Sequence, residues 1–572
     1  MTLKVLGLNS EGHDTSACIV IDGKLIAACE QERYDKAKHS KNFPNDAIND
    51  CLKIAKLKIK DIDVISSGFD PHILIRELYL KPAIKDNKRV EFLINNIERI
   101  KSIHFLEKTI QKKLNVKTKI EFNNHHLCHL ASTYYPSGFQ KAVVVSYDGI
   151  GESESGAFAI ANKGNIKVLD VKNVYPNSFG LIYSAITFYL GWKPFCDEGI
   201  IMGLAPYGDS RKKVKGTNKT YYDFFKDIIC INKKNPLEYQ INKKWIAYHL
   251  KRDVWISDEF IKVFGKPKKY LNKLTEHHMN IAKALQDRLE YVVCKQLDHL
   301  QKKYKIDNLC LAGGVALNCS LNGKIKKKKI FKNIFIQPAS GDAGIAYGSC
   351  LVSTLKRKKL KVKKMNNFYT GLRENEKIIK KNLIKNKIQY KKFSNNNIYN
   401  EIRKNLVNGK IIGIFRGAAE FGPRALGNRS IISKPYPSKM RDHLNKNVKF
   451  REFFRPFAPM VLNENREEFF DLNQESPHML IACKAKNKNK KKIPAVVHVD
   501  NSCRVQTVTN ETNPFFYKLI KNFYKHTGVP VILNTSFNIK GQPIVNDSLD
   551  AIKCFKKYNI DVLVLENFII EK

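Results

Sequence analysis

Two α/β domains in one chain are what this sequence predicts, the first of them duplicated internally and built to hold a nucleotide. Three observations predict it. At 572 residues, 43% of them hydrophobic, the chain is too long for one core yet rich enough to bury two. A strand, polar loop and hairpin pattern occurs twice in the N-terminal part. A lysine-rich break follows, beyond which strands and helices begin to alternate again.

The chain opens with a strand (Val5–Leu8), the loop NSEGHD and then SACIVIDGKLIAAC, whose two apolar runs around Asp22-Gly23 predict a tight hairpin. AVVVSYDGIGESESGAFAIANKGNIKVLDV, residues 142–171, repeats the plan: strand, Asp/Gly/Ser loop, strand, turn, strand. Two such units, each with a polar loop at a strand end, make up a two-lobed (ASKHA) fold of the actin-like, sugar-kinase-like type. A helical stretch (Met279–Tyr304) leads to a third glycine loop, LCLAGGVALNCSLNGKI, and then to IFIQPASGDAGIAYGSCL. STLKRKKLKVKKMNNF, ending at Phe368, is a charge run suited to a linker. The expected division is residues 1–355, a basic linker 356–368, and 369–572, ending in one apolar strand, DVLVLENFII. KAKNKNKKKIP (484–494) reads as a lysine-rich surface loop. The stretch 208–274, with scattered Trp and Tyr, yields no reading.

The formal net charge is +46. Nucleic acid or an anionic membrane is one explanation. The other is composition: Lys, Asn and Ile are abundant throughout, as in A+T-rich coding, and charge spread along a chain does not make a patch. The 13 cysteines are odd in number, lack any C-x-x-C pair and lie mostly in apolar runs, so they read as reduced, buried side chains. MTLKVLGLNS has no long apolar region, so no signal peptide is expected, and no segment approaches the ~18 apolar residues of a membrane span. A soluble, cytoplasmic protein is the expectation.

NNHHLCHLAS puts His125 and His129 four residues apart, on one face if the segment is helical, with His126 pointing elsewhere. That is half of a common metal site, which Asp148 or Asp342, each delivered to a loop by a strand, would complete. On spacing alone a pair of surface or hydrogen-bonded histidines is the favoured reading. His13-Asp14 follows the first strand among small residues, where an imidazole can serve as general base or simply bond to backbone. Gly313, Gly314 and Asn318 form a turn that would admit a nucleotide close to the chain. Arginine is scarce, 18 against 82 lysines, yet Arg416, Arg424, Arg429, Arg441, Arg451 and Arg455 fall within 40 residues. A guanidinium offers a planar fork that matches phosphate or carboxylate oxygens; an ammonium does not. A polyphosphate or acyl-phosphate pocket and a set of ion pairs with Glu420, Asp442 and Glu452 are the two readings.

Ten stretches together carry a resemblance: GHDTSACIVIDGKLIAACEQERY, HHLCHLASTYYPSGF, DGIGE, IMGLAPYGD, LAGGVALN, QPASGDAG, EFGPRALGNRSI, VKFREFFRPFAP, VDNSCRVQTV and NTSFNIKGQPIV. In this order, from residue 3 to about 566, the sequence resembles the O-carbamoyltransferases typified by nodulation protein U and the cephamycin and tobramycin carbamoyltransferases. The resemblance implies an actin-like domain followed by a YrdC-like α/β domain. It implies ATP and carbamoyl phosphate as substrates, giving carbamoyl adenylate with release of pyrophosphate, then transfer of the carbamoyl group to a hydroxyl of a small molecule such as a sugar, an aminoglycoside or another natural product. Metal ligands implied are His125, His129, Asp148 and Asp342, for one divalent ion, usually iron; Mg2+ can accompany ATP. His13 is implied as the base with Asp14 beside it. Gly313, Gly314 and Asn318 are implied at the first domain's nucleotide site. Arg424, Lys449, Arg455, Arg504, Asn534 and Ser536 are implied to hold carbamoyl phosphate and ATP. Cys128 and Cys503 stand where a smaller residue is expected. No nucleic acid or membrane partner is expected, and a homodimer is allowed. The rivals are a tRNA-modifying carbamoyl or threonylcarbamoyl transferase and an actin-like ATPase acting as a binding module.

Overall fold

The computed structural model describes residues 2–251, 253–270, 272–394 and 396–572. The first sheet contains β1 (Lys4–Asn9), β2 (Ser16–Ile21), β3 (Lys24–Glu30), β4 (Val64–Ser67) and β5 (Ile120–Phe122), in the order β3-β2-β1-β4-β5. β1, β2 and β3 form an antiparallel meander, and β4 and β5 add parallel to β1. The expected hairpin is there: Asp22 and Gly23 both have positive φ, 48° and 81°, as a type I′ turn demands.

The second sheet repeats this topology. β6 (Lys141–Tyr147), β7 (Gly156–Asn162) and β8 (Asn165–Val168) are its antiparallel meander. After a small hairpin of β9 (Ile229–Ile231) and β10 (Tyr239–Ile241), β11 (Asn308–Ala312) and β12 (Asn333–Ile336) add parallel to β6. Read from its far edge, β8-β7-β6-β11-β12 matches β3-β2-β1-β4-β5 strand for strand. The duplication inferred from the two loop patterns is therefore a duplication of structure, and the region resembles the actin-like, sugar-kinase-like fold.

Two helices lie between the sheets, Ile345–Leu355 against the first and His125–Tyr134 against the second, and they pack on each other. Their approach is very close: a Cβ on Gly348 would stand 2.0 Å from the Cys128 carbonyl oxygen. The small-residue requirement at position 128 follows, since Cys128 is fully buried at this crossing. The stretch 208–274, apart from residues 252 and 271, which lie outside the described residues, packs the helix Tyr221–Ile228 on the long helix Glu276–Tyr304 and the helix Asp258–Phe264 on the turn Lys243–Trp245, and buries Phe225, Trp245 and Phe260.

The charged segment before Phe368 is laid along the first domain. Lys363 N and Met365 N donate to the carbonyls of Tyr135 and Pro136, and Leu360, Val362 and Met365 pack on its core while the intervening lysines stay in solvent. Beyond it lies one nine-stranded sheet. Its strands are β13 (Lys391–Lys392), β14 (Ile412–Phe415), β15 (Arg429–Ser433), β16 (Ala458–Leu462), β17 (Ile481–Lys484), β18 (Ser502–Val508), β19 (Val531–Ser536), β20 (Val562–Leu565) and β21 (Phe568–Glu571). They run in the order β13-β21-β20-β14-β15-β19-β16-β18-β17. The expected single last strand is instead the hairpin β20–β21, because Glu566 takes a left-handed φ of 50° and reverses the chain at Glu566-Asn567. Apolar residues on both sides of that turn hide it in the sequence.

The two parts are tightly docked. Arg33 Nη2 donates to the Gly422 carbonyl at 3.0 Å, Lys36 pairs with Asp550, and a Cβ on Gly323 would meet the Ala482 oxygen at 1.9 Å. No helix among the described residues is long and apolar enough to cross a membrane.

Candidate functional site

A cavity of about 860 Å3 lies where the two parts meet. His13, Asp14, Asp148, Gly314, Asn318 and Asp342 line it from one side, and Arg424, Lys449, Arg451, Arg455 and Ser536 from the other.

The first side is assembled from the two duplicated loops. The helix His125–Tyr134 starts at Asn124, whose side chain accepts from Leu127 N, a cap worth about 1 kcal/mol. Glu152 Oε1 accepts from His125 N and Asp70 N, fixing the start of that helix from outside. His125 and His129 then project from one face, and both Nε2 atoms converge on Asp148 Oδ2, at 3.0 and 3.2 Å. Both lie 3.8 Å from Asp342 Oδ1. His126 points away, to Ser146 Oγ and the Glu154 carbonyl; burial, then the charge of His125, lowers its pKa to about 3. The ligand atoms of His125, His129, Asp148 and Asp342 all lie within 4.8 Å of one another. Two imidazoles and two carboxylates, largely shielded from water, fit a divalent first-row metal. Without one, burial pushes the His129 pKa down, but the bonds to Asp148 and Asp342 outweigh it and hold it at about 9.

Asp148 has a second contact. Its Oδ1 accepts from Gly314 N at 2.8 Å, which ties the glycine turn to the same carboxylate. Gly313 before it has φ of 84°, and a Cβ there would stand 2.1 Å from the Tyr147 oxygen, so only glycine fits. Asn318 caps the helix Cys319–Lys327 through Leu321 N and donates to Gln286 Oε1 at 2.9 Å.

His13 and Asp14 sit in the β1–β2 loop, which Asn9 Nδ2 gathers by donating to both of their carbonyls. His13 Nδ1 donates to Asp14 Oδ2 at 2.8 Å, so Nε2 is the free nitrogen, 3.9 Å from Asp342. The sequence reading missed that Asp14 serves a second imidazole. His39 Nδ1 lies 2.7 Å from Asp14 Oδ1, and His39 also lines the cavity. Burial opposes charge on His13, yet Asp342 and Asp14 together bring its pKa up to about 9. The one available sequence signal was the polar run KAKHSKNFP after the first hairpin.

The second side is a crowd of cations. Burial, then Arg504, lowers the Arg424 pKa to about 9, with Arg455 adding to it. Arg451 is pushed well down by burial, then by Arg455 and Arg504; burial and then Arg451 do the same to Lys449. Arg424 Nε is buried with no partner. Lys449 Nζ donates to the carbonyls of Ser536 and Asn538 and to Asn538 Oδ1, while Arg455 lies 3.7 Å from Glu452. Arg504, on β18, joins this cluster electrostatically without lining the cavity. Asn534 is fully buried behind the wall, its amide donating to the Ala425 carbonyl and Gln506 Oε1.

The arginine-rich stretch divides into two kinds. Arg429 is wholly buried, donates to the carbonyls of Arg416, Gly417, Asn428 and Leu372, and stacks 3.7 Å over Phe415. Arg416 holds the Glu566 carbonyl and Arg441 pairs with Asp442. Arg424, Arg451 and Arg455 face the cavity. Of the expected ion pairs, Arg441 with Asp442 and Arg455 with Glu452 form, while Glu420 instead accepts from the backbone N–H groups of Leu426, Asn428 and Arg429. Arg451, not singled out as a ligand from the sequence, belongs with the second group.

Residues 4–351 match the family model described as carbamoyltransferase N-terminus, and residues 403–572 match carbamoyltransferase C-terminus. The Synechocystis protein sll1178 is 35% identical over 607 residues, covering 99% of this chain and 96% of that one. Nodulation protein NolNO of Sinorhizobium fredii is 33% identical, covering 99% and 80%. Nodulation protein U of Rhizobium tropici is 30% identical, covering 94% and 92%. The chain belongs to the carbamoyltransferase family.

Proposed function

We propose that this carbamoyltransferase is ATP-dependent and O-specific: it makes carbamoyl adenylate at the cationic end of the cavity and transfers the carbamoyl group to a hydroxyl of a small molecule at the histidine end. One observation carries the reading. Cations that repel one another face an imidazole–carboxylate centre across one cavity.

Activation needs negative charge gathered and neutralised, which Arg424, Arg451, Arg455 and Lys449 suit. The atoms balance with one water: carbamoyl phosphate loses its phosphate, the carbamate oxygen attacks the ATP α-phosphorus, and pyrophosphate leaves. In the second step an acceptor oxygen attacks the carbamoyl carbon, its proton passes to His13 Nε2, and the bond to AMP breaks. Asp14 holds the His13 proton at Nδ1, so that Nε2 can accept. A cation held by His125, His129, Asp148 and Asp342, for which we take iron(II), would neutralise Asp342, relax its share of the upward push on His13 and offset charge on the leaving phosphate. The walls around the cavity exclude water, which would hydrolyse the mixed anhydride. We read the C-terminal sheet as the YrdC-like activating domain and Gly313, Gly314 and Asn318 as nucleotide contacts.

The lysine runs at 326–329 and 484–492 line no part of the cavity and sit largely in solvent, which supports a small acceptor over tRNA. The test is product analysis with ATP, with and without carbamoyl phosphate. Pyrophosphate that appears only with carbamoyl phosphate supports the reading; phosphate released from ATP alone, without pyrophosphate, overturns it.

A further inference from the structure

The loop that delivers Arg424 to the cavity joins β14 to β15, yet part of it is lodged in the first domain. Phe421 is fully buried there, in the core that also contains Cys128, Ala339 and Tyr347, and its amide donates to the Phe368 carbonyl at 2.9 Å. Gly422 takes φ of 117°, and a Cβ on it would stand 2.7 Å from the Pro338 carbonyl oxygen, so this residue is pressed against the loop that carries Asp342. Pro423 and Arg424 follow and line the cavity, with Arg424 Nη2 3.4 Å from the Leu317 carbonyl of the first domain.

One side chain grips this tongue. Arg33, in the short helix Glu32–Asp35 after β3, is buried; its Nε donates to Glu30 Oε2 and its Nη2 to the Gly422 carbonyl, each at 3.0 Å. Glu30 itself lines the cavity. The planar fork therefore spans a wall residue of the N-terminal end and the residue two before Arg424, a span that a point charge does not reproduce. Slack in the tongue is small. Pro423 has a fixed φ, and Glu420 Oε1 closes the loop from within by accepting from the amides of Leu426, Asn428 and Arg429. Arg424 has little to hold it otherwise: its Nε is buried with no partner, and Arg504 and Arg455 repel it. Its place depends on the backbone that carries it.

We propose that Arg33 is a positioning residue for the cationic end of the cavity: by holding the Gly422 carbonyl it sets Arg424, so that the first domain builds part of the activating site. The consequence for binding rests on the reading of that end as the seat of a polyanionic substrate. A charged group displaced by about 1 Å loses up to about 100-fold of its effect, and loss of one anchor among several should cost about tenfold.

Two measurements on the full-length protein test this. Amide exchange of the peptide spanning residues 419–426, read by mass spectrometry, should quicken by about tenfold or more in Arg33→Met and stay within about twofold of wild type in Lys36→Met, which loses a different contact between the same two parts. Removing Arg33 strands the buried Glu30 carboxylate, so the double variant Glu30→Gln with Arg33→Met protects the fold and should show the same quickening. Unchanged exchange in both Arg33 variants overturns the anchor. Inorganic pyrophosphate, titrated calorimetrically, reads the site: its Kd should rise about tenfold in the double variant and stay within about twofold in Glu30→Gln alone, where Arg33 still holds Gly422. An equal Kd in wild type and double variant, or an equal loss in Glu30→Gln, overturns the positioning role. Wild type that binds no pyrophosphate sinks the reading of the cationic end, and the exchange result then decides the anchor by itself.

Discussion

At the C-terminal end of the cavity burial lowers the pKa of Arg424, Arg451 and Lys449, neighbouring cations, Arg451, Arg455 and Arg504 among them, lower it further, and Glu452 lies beside Arg455. At the N-terminal end the carboxylates of the two duplicated loops each meet a pair of imidazoles: Asp14 lies between His13 and His39, Asp148 between His125 and His129. The first arrangement is costly until an anion arrives. The second is already satisfied, and its geometry is fixed before any substrate enters. The difference suits a division of work on the proposed reaction: one end would hold a polyanionic ligand, the other would orient a proton acceptor and a cation. The same contrast appears within sixteen residues of sequence, where Arg429 is spent on four carbonyls and Arg424 is left for a ligand.

Mutation can break this division. Arg451→Ala should cut carbamoyl-phosphate-dependent pyrophosphate release by about 10³-fold, as loss of a transition-state charge contact does, while transfer from supplied carbamoyl adenylate falls far less. Equal loss of both half-reactions in a folded variant would merge the two ends into one site. Arg429→Ala should act on folding instead, lowering stability in urea titrations by about 3 kcal/mol because four carbonyls lose a buried charged partner. An unchanged midpoint with lost activity would move Arg429 to the ligand group.

How much of this was legible in the sequence depends on the range of the signal. Asp22-Gly23, the duplicated loops and the His125/His129 spacing are local patterns, and each gave the right element. The meeting of Asp148 with Asp342 is a contact between loops far apart in the chain: strand ends marked both as candidates, and only the resemblance put both in one ligand set. His39 carried only the weak signal of a polar run, because it meets the site through Asp14, 25 residues earlier. The turn at Glu566 was hidden by apolar residues that continue on both sides. Arginine scarcity pointed to the right stretch but could not tell a guanidinium that faces carbonyls from one that faces a cavity.

Two milder variants sharpen the N-terminal side. His129→Ala should lower bound metal, read by elemental analysis, and transfer together, by about 100-fold, with pyrophosphate release largely preserved. Wild-type protein without stoichiometric metal would remove the centre from the proposal. His39→Ala should lower kcat for transfer by about 10-fold with acceptor KM little changed, since His39 only orients Asp14, and His39→Gln should recover part of it. A large KM effect would make His39 an acceptor contact.

The size of the cavity has a kinetic meaning. One molecule confined to about 860 Å3 is at a local concentration of about 2 M, far above any free pool of a short-lived anhydride. Bulk water is still more than tenfold more concentrated, at about 55 M, so crowding the intermediate is not enough to outrun hydrolysis. The direct contacts between the parts, Arg33 Nη2 on the Gly422 carbonyl and Lys36 on Asp550, tie the two ends of the cavity together. On the proposed reaction, loosening them would lengthen the interval during which water competes for the anhydride.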